Sequence, residues 1–152
     1  MKLSDRTINL LKNFASINQS ILFKQGNQLR TISVMKNILA EANIDEDFPQ
    51  DFGVYDLSQF LNSLGLFQEP ELNFTGESFV NIKEGKQRSK YFFADPSVIV
   101  SPPEKSITLP SVDVEFTLRS SQLDRLLKAA GVYHLTDLSA VSYTHLRAHE
   151  TV

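Results

Sequence analysis

Ser4-Asp5-Arg6-Thr7-Ile8-Asn9-Leu10-Leu11-Lys12-Asn13-Phe14-Ala15-Ser16-Ile17-Asn18 decides how this chain begins to fold. Ile8, Leu10, Leu11, Phe14, Ala15 and Ile17 recur at helical spacing and make one broad apolar stripe. Arg6, Asn9, Lys12, Asn13 and Ser16 take the opposite side. Ser4 can accept a hydrogen bond from a first-turn amide, and Asp5 opposes the positive end of the helix dipole, so the spacing predicts a capped amphipathic helix from Ser4 onward.

The chain after this helix reads as β-rich. Ile21-Leu22-Phe23 turns at Gly26-Asn27 into residues 29–34, and Met35-Lys36-Asn37 turns into residues 38–44, which predicts an antiparallel meander. Asp45-Glu46-Asp47 with Pro49 reads as an acidic loop that ends it, before Phe52-Gly53-Val54-Tyr55. Asp56 caps a second helix, Leu57-Ser58-Gln59-Phe60-Leu61-Asn62-Ser63-Leu64, which Gly65 terminates. Further strands are expected at residues 72–74, 79–82 and 91–93, punctuated by Gly76 and Gly85. The order helix, meander, helix, meander predicts an α+β unit with two helices on one face of an antiparallel sheet.

Between residues 94 and 110 the composition shifts. Pro96, Pro102, Pro103 and Pro110 remove ladder donors and favour extended chain, so 94–110 reads as a proline-rich connector between a first domain, 1–93, and a second that starts at 111. Val112-Asp113-Val114-Glu115-Phe116-Thr117-Leu118 alternates as a strand, and Ser120 or Ser121 is expected to cap a helix with Leu123, Leu126, Leu127 and Ala130 on its apolar stripe. Shifted by 116 positions, Ser4 falls on Ser120 and Leu10-Leu11-Lys12 on Leu126-Leu127-Lys128, a short match that suggests an incomplete second copy of the first domain. One strand and one helix cannot bury a core, so residues 111–139 are expected to be poorly ordered.

The tail needs separate treatment. Ser142-Tyr143-Thr144-His145-Leu146-Arg147-Ala148-His149-Glu150-Thr151 resembles the translation of a transposase-inserted sequencing-library adapter, and read backwards the same adapter accounts for Val141. Residues 140–152 are therefore read as an adapter-derived tail, with native sequence expected to stop near Ser139. His145 and His149 stand four apart, a spacing that on a helix could begin a zinc site, but both lie in the adapter match and no Glu follows His145 directly. A metal-dependent hydrolase built on them is the weakest of three functional readings.

Composition bounds the rest. The 152 residues are 41% apolar and 22% charged, with no cysteine or tryptophan and 15 Lys+Arg against 18 Asp+Glu, which is ordinary for a folded soluble domain. Without cysteine there is no disulfide framework, thiolate metal site or cysteine nucleophile. No run is apolar and long enough to span a bilayer, and the first residues hold no signal core, so no membrane association is expected. A net charge of −3 argues against a protein that grips nucleic acid over its whole surface. No catalytic constellation stands out: His134 has no partner set, Asp45, Glu46 and Asp47 lack calcium-loop spacing, and the glycines are scattered, so neither an enzyme nor a cofactor is expected. The 11 phenylalanines read as core, since stacking on single-stranded bases would need them exposed on one sheet face.

Met1-Lys2-Leu3-Ser4, Leu10-Leu11-Lys12-Asn13-Phe14-Ala15, Ile17-Asn18, Ala40-Glu41-Ala42-Asn43-Ile44, Tyr55-Asp56-Leu57, Phe60-Leu61 and Ala94-Asp95-Pro96-Ser97 occur in an order and spacing that resembles the sliding clamps of T-even-like phages, over residues 1 to about 130. The resemblance implies a DNA polymerase processivity factor with the sliding-clamp fold, whose full-length subunits have two similar domains and form a homotrimeric ring with helices lining the hole. It also implies double-stranded DNA, encircled without sequence preference, as a partner. The other implied partners are the C-terminal peptide of the phage DNA polymerase, a clamp loader and late transcription factors, in the cytoplasm of an infected bacterial host. Because ring closure in that family joins the first domain of one subunit to the second of the next, a chain truncated here is expected neither to trimerise nor to load.

An encircling ring needs only weak contacts, because topology prevents dissociation, and a few hole-facing cations suffice. Lys12 and its counterpart Lys128 are the first candidates for DNA-facing residues, with Arg125 and Arg6 next. Exposed Lys and Arg on an amphipathic helix are also ordinary solvated charge. Lys83-Glu84-Gly85-Lys86-Gln87-Arg88-Ser89-Lys90 is the densest basic run; it reads chiefly as protection of a sheet edge, with phosphate contact as the lesser reading. The second helix carries no cation and offers only Ser58, Asn62 and Ser63. The alternative to a clamp is a free-standing α+β module that binds peptides or proteins.

Overall fold

The structure, a computed structural model, describes residues 1–140 and 146–149. It divides into two compact units, Met1–Ser106 and Ile107–Val152. In the first unit the order is α1 (Asp5–Ile17), β1 (Ile21–Phe23), β2 (Gly26–Ile32), β3 (Leu39–Phe48), β4 (Phe52–Val54), α2 (Leu57–Leu64), β5 (Glu71–Phe74), β6 (Phe79–Glu84) and β7 (Gln87–Phe92). The strand pairings are antiparallel: β1 with β4, β2 with β3, and β5 with β6 with β7. This is an α+β architecture, as the periodicity predicts.

Both helices begin where their N-caps place them. Ser4 Oγ accepts from the Thr7 amide, and Asp56 accepts from the Gln59 amide at 2.9 Å. The predicted apolar stripes face inward: Leu11 and Phe14 of α1 join Leu57, Phe60, Leu61 and Leu64 of α2 in one core with Phe23, Leu29, Ile44, Phe48, Phe52, Val54, Leu72, Val80 and Ile82 from the strands. Each such side chain contributes about 1.5–3 kcal/mol on burial. Aromatic rings carry much of this core. Phe23 stacks on Phe52 at 4.4 Å and meets Phe48 edge-on at 4.9 Å, and Phe60 meets Tyr91 at 5.0 Å.

The first strands do not form the expected meander. β1 pairs with β4, with Ile21 opposite Val54 and Phe23 opposite Phe52, and Gly26 at φ +109° turns the chain out of that ladder into the next. The Phe23–Phe52 stack rewards this pairing, and Asp51 holds its edge by accepting from the Gln25 amide and the Lys24 ammonium. The acidic loop is also corrected: β3 runs through it to Phe48. Ile44 and Phe48 are buried and Asp45 and Asp47 exposed, so the period of a half-buried strand persists under the carboxylates.

Residues 94–106, read as connector, lie on the first unit. Ala94 bridges Gly53, donating its amide to the Gly53 carbonyl at 2.9 Å, and Ile99 is buried. A Cβ added at Gly53 would stand 2.7 Å from both the Ala94 carbonyl oxygen and Ile99 Cδ1, so glycine is what lets this segment approach. The boundary between the compact units falls after Ser106, inside the expected connector.

In the second unit the expected strand at 112–118 is absent; this stretch is irregular, with Val112, Val114 and Phe116 exposed. α3 spans Ser120–Tyr133, but neither Ser120 nor Ser121 caps it. Arg119 occupies the N-cap and has no acceptor to offer the first turn; Gln122 Oε1 instead accepts from the Arg119 amide at 3.0 Å. No residue of α3 is buried, and Leu127 of its apolar stripe is 61% exposed. β8 (Asp137–Ala140) pairs with β9 (Leu146–His149), a backbone pairing open to any sequence. His145, half of the spaced histidine pair, lies outside the described residues, as do 141–144 and 150–152 of the tail.

Candidate nucleic-acid interface

The solvent side of α1 consists of Asp5, Arg6, Asn9, Lys12, Asn13 and Ser16, all exposed, so the side predicted as polar is the side that faces water. α2, which packs against α1, exposes Ser58, Gln59 and Asn62 and half-exposes Ser63. The surface of the two helices is therefore rich in amides and hydroxyls and carries two cations, Arg6 and Lys12, with one carboxylate, Asp5. Such a surface can make scattered, sequence-blind hydrogen bonds and weak ion pairs to phosphates.

The two cations are not equivalent. Arg6 Nη1 lies 3.7 Å from Asp45 Oδ1, both side chains mostly exposed, whereas Lys12 has no carboxylate within 4 Å among the described residues. Lys12 thus presents its full charge, and that of Arg6 is shared. In the second unit Arg125 and Lys128 are both exposed on α3 and likewise lack ion-pair partners among the described residues. His134 is the C-cap of α3, exposed and at φ 55°, in agreement with a helix-end histidine.

Three residues that position this surface escaped the sequence reading. Glu46, on β3, reaches the start of α1: its Oε1 accepts from the Ser4 amide and its Oε2 from the Thr7 hydroxyl at 2.7 Å. Burial pushes the Glu46 carboxyl up, but the hydrogen bonds from the Ser4 amide, the Thr7 hydroxyl and the Ser4 hydroxyl together outweigh it and hold it below the usual carboxylate range. Thr7 is itself buried. At the other end of α1 the buried Asn18 caps the helix with its amide on the Phe14 carbonyl. Its Nδ2 donates to the carbonyls of Ile32 at 2.9 Å and Val100 at 3.1 Å, and its Oδ1 accepts from the Ser20 amide at 3.0 Å. Leu57 then donates its amide to the Gln19 carbonyl at 2.8 Å, tying the end of α1 to the start of α2. The only available signal was the pairing of a polar residue with an apolar neighbourhood, and distant partners give it no local spacing.

Among the described residues there is no cluster of metal-ligating side chains, and no helix is long and apolar enough to cross a membrane. A family profile described as DNA polymerase processivity factor matches residues 2–101. Over 140 residues the chain is 34% identical to the sliding clamp of Vibrio phage KVP40, a stretch that is 91% of this chain and 63% of the relative. It is 39% identical over 132 residues to the sliding clamp of Escherichia phage RB69 and 37% identical over 132 residues to that of Enterobacteria phage T4, in both cases 86% of this chain and 57% of the relative. The chain thus spans between 57% and 63% of the length of these curated relatives. These similarities favour a clamp over a free-standing interaction module.

Proposed function

This chain belongs to the DNA polymerase processivity factor family, and on that premise we propose that it is the front portion of a sliding-clamp subunit, which encircles duplex DNA and tethers a replicative polymerase without catalysing a reaction. Residues 1–93 are the first clamp domain, 94–110 the connector, 111–139 the opening of the second domain and 140–152 a non-native tail. The partners are double-stranded DNA, the C-terminal peptide of the phage polymerase, a clamp loader and late transcription factors. The assembled protein is a homotrimer in the cytoplasm of the infected bacterium.

The observation that supports this most is the family match together with the character of the α1 and α2 surface: thinly cationic, otherwise uncharged, and rigidly tied at both ends. A ring that must slide gains from contacts that are weak and alike at every register, and a chain of net charge −3 has little tendency to hold DNA on its exterior at large. Lys12 is the foremost DNA-facing residue of the first domain and Arg6 a weaker one; on α3 Lys128 is the counterpart of Lys12, with Arg125 three residues before it.

The test is primer extension on a circular primed template by the polymerase and clamp loader of the same phage. The added protein is the full polypeptide of the natural reading frame that contains residues 1–139. Much longer products with the protein than without are expected; unchanged product length overturns the proposal.

A further inference from the structure

We infer that residues 101–106 are a strap that Arg30 latches across a recess of the first unit, so that this half of the connector can lift while the half before it stays docked. The two halves are held differently. Residues 94–100 have several ties to the unit: the Ala94 amide bonds the Gly53 carbonyl, Ile99 is buried, and the Val100 carbonyl accepts from Asn18 Nδ2. The turn from Asp95 to Ile99 is also closed by its own hydrogen bonds. Residues 101–106 have a single hydrogen bond among the described residues, from Arg30 Nη1 to the Pro103 carbonyl at 2.7 Å. Pro102 alone among them is partly covered; the others are exposed.

The sheet aims this latch. The register sets Arg30 of β2 directly opposite Glu41 of β3, so the two side chains share one face. Glu41 Oε1 accepts from Arg30 Nε at 2.8 Å and lies 2.8 Å from Nη2. With one edge of the planar guanidinium held there, Nη1 is left to point at the Pro103 carbonyl. The Arg30 side chain is only 17% exposed, so its bond to the strap is shielded from the water that weakens a surface pair.

Beneath the strap the packing is incomplete. A recess of about 380 Å³ separates Leu22, Gln25 and Gln28 on the sheet side from Ser101, Pro102 and Glu104 on the strap side. Burial therefore does little to hold residues 101–106 down, and the Arg30 bond decides their position. Pro102 and Pro103 have no amide to offer the sheet, and their fixed φ keeps the strap extended and stiff. Release is thus a swing about Ser101 that widens the recess, with the strap itself unchanged in form.

The chain has no cysteine, so spin labels can be placed one pair at a time. The test is double electron–electron resonance on the whole chain with nitroxides at Asp47→Cys and Lys105→Cys, both exposed positions outside the latch. With Arg30 in place one narrow distance distribution is expected. In Arg30→Ala the population away from that distance should rise about tenfold or more, the effect of losing one hydrogen bond to a charged group. Arg30→Met, which keeps an apolar stem but no donor, should do the same. A second pair, Asp47→Cys with Val98→Cys, should stay narrow in every variant, and unchanged circular dichroism and melting show that each is folded. A narrow 47–105 distribution in either Arg30 variant, or a broad one with Arg30 present, overturns the latch. So does equal broadening of the 47–98 pair, which means that the whole connector has loosened.

Discussion

Glu46, at the far end of β3, accepts the hydroxyl hydrogen of Thr7 in the first turn of α1 at 2.7 Å, across 39 positions of sequence. With the Ser4 amide on its other oxygen, one carboxylate fixes the start of the helix that carries Arg6 and Lys12. The bond supplies negative charge where the helix dipole favours it.

Glu46→Gln is expected to lower stability at neutral pH by about 1 kcal/mol, as expected when a charged acceptor of buried donors is replaced by a neutral one. The folded carboxyl lies below its ordinary value of 4.5, so its contribution is complete well above that pH and is lost as the solution is acidified through the lower folded value. Denaturant titrations of both proteins at falling pH check this: the gap between them should close in acid. A gap independent of pH would contradict it.

Asn18→Ala should cost about 2–3 kcal/mol, because it strips donors from the Ile32 and Val100 carbonyls and an acceptor from the Ser20 amide at a buried position. Amide hydrogen exchange should rise most near Ile99, where the docked segment loses its tether. Stability and exchange measured together separate this from a general loosening.

Gly53→Ala places a methyl 2.7 Å from the Ala94 carbonyl oxygen, a backbone atom that cannot swing away. Destabilisation of about 1–3 kcal/mol is expected from this overpacking. A thermal melt is sufficient to read it, and a neutral result would mean that the 94–99 segment detaches readily.

Lys12→Ala and Arg6→Ala should each change stability by less than about 0.5 kcal/mol, since both are exposed and the Arg6–Asp45 pair is a surface one. In the full natural polypeptide, loss of Lys12 should lower the log–log salt slope of duplex binding by about 0.9, and loss of Arg6 by less, because Asp45 already shares its charge. Equal slopes in wild type and the Lys12 variant would remove Lys12 from the interface.

The helices were legible because their information is local. The stripe through Leu11 and Phe14 and the caps Ser4 and Asp56 are read within a turn or two, and the structure buries and bonds them as the spacing requires. β3 was half legible. Three consecutive carboxylates obscured the alternation of Ile44 and Phe48, since composition and period pulled in different directions. Strand partners were not legible, because β1 contributes only three residues and its choice of β4 depends on the stack between Phe23 and Phe52, 29 positions away.

By itself the sequence determined the α+β class, both helices of the first unit and their wet sides, and through its motifs the family, since all of these rest on short-range order along the chain. The tertiary structure alone decided that Glu46 and Asn18 fix the two ends of α1, that Asp45 tempers Arg6 and leaves Lys12 bare, and that residues 94–106 lie against the first unit. Each of these is a contact between residues far apart in sequence, formed only when burial of the common core brings them together.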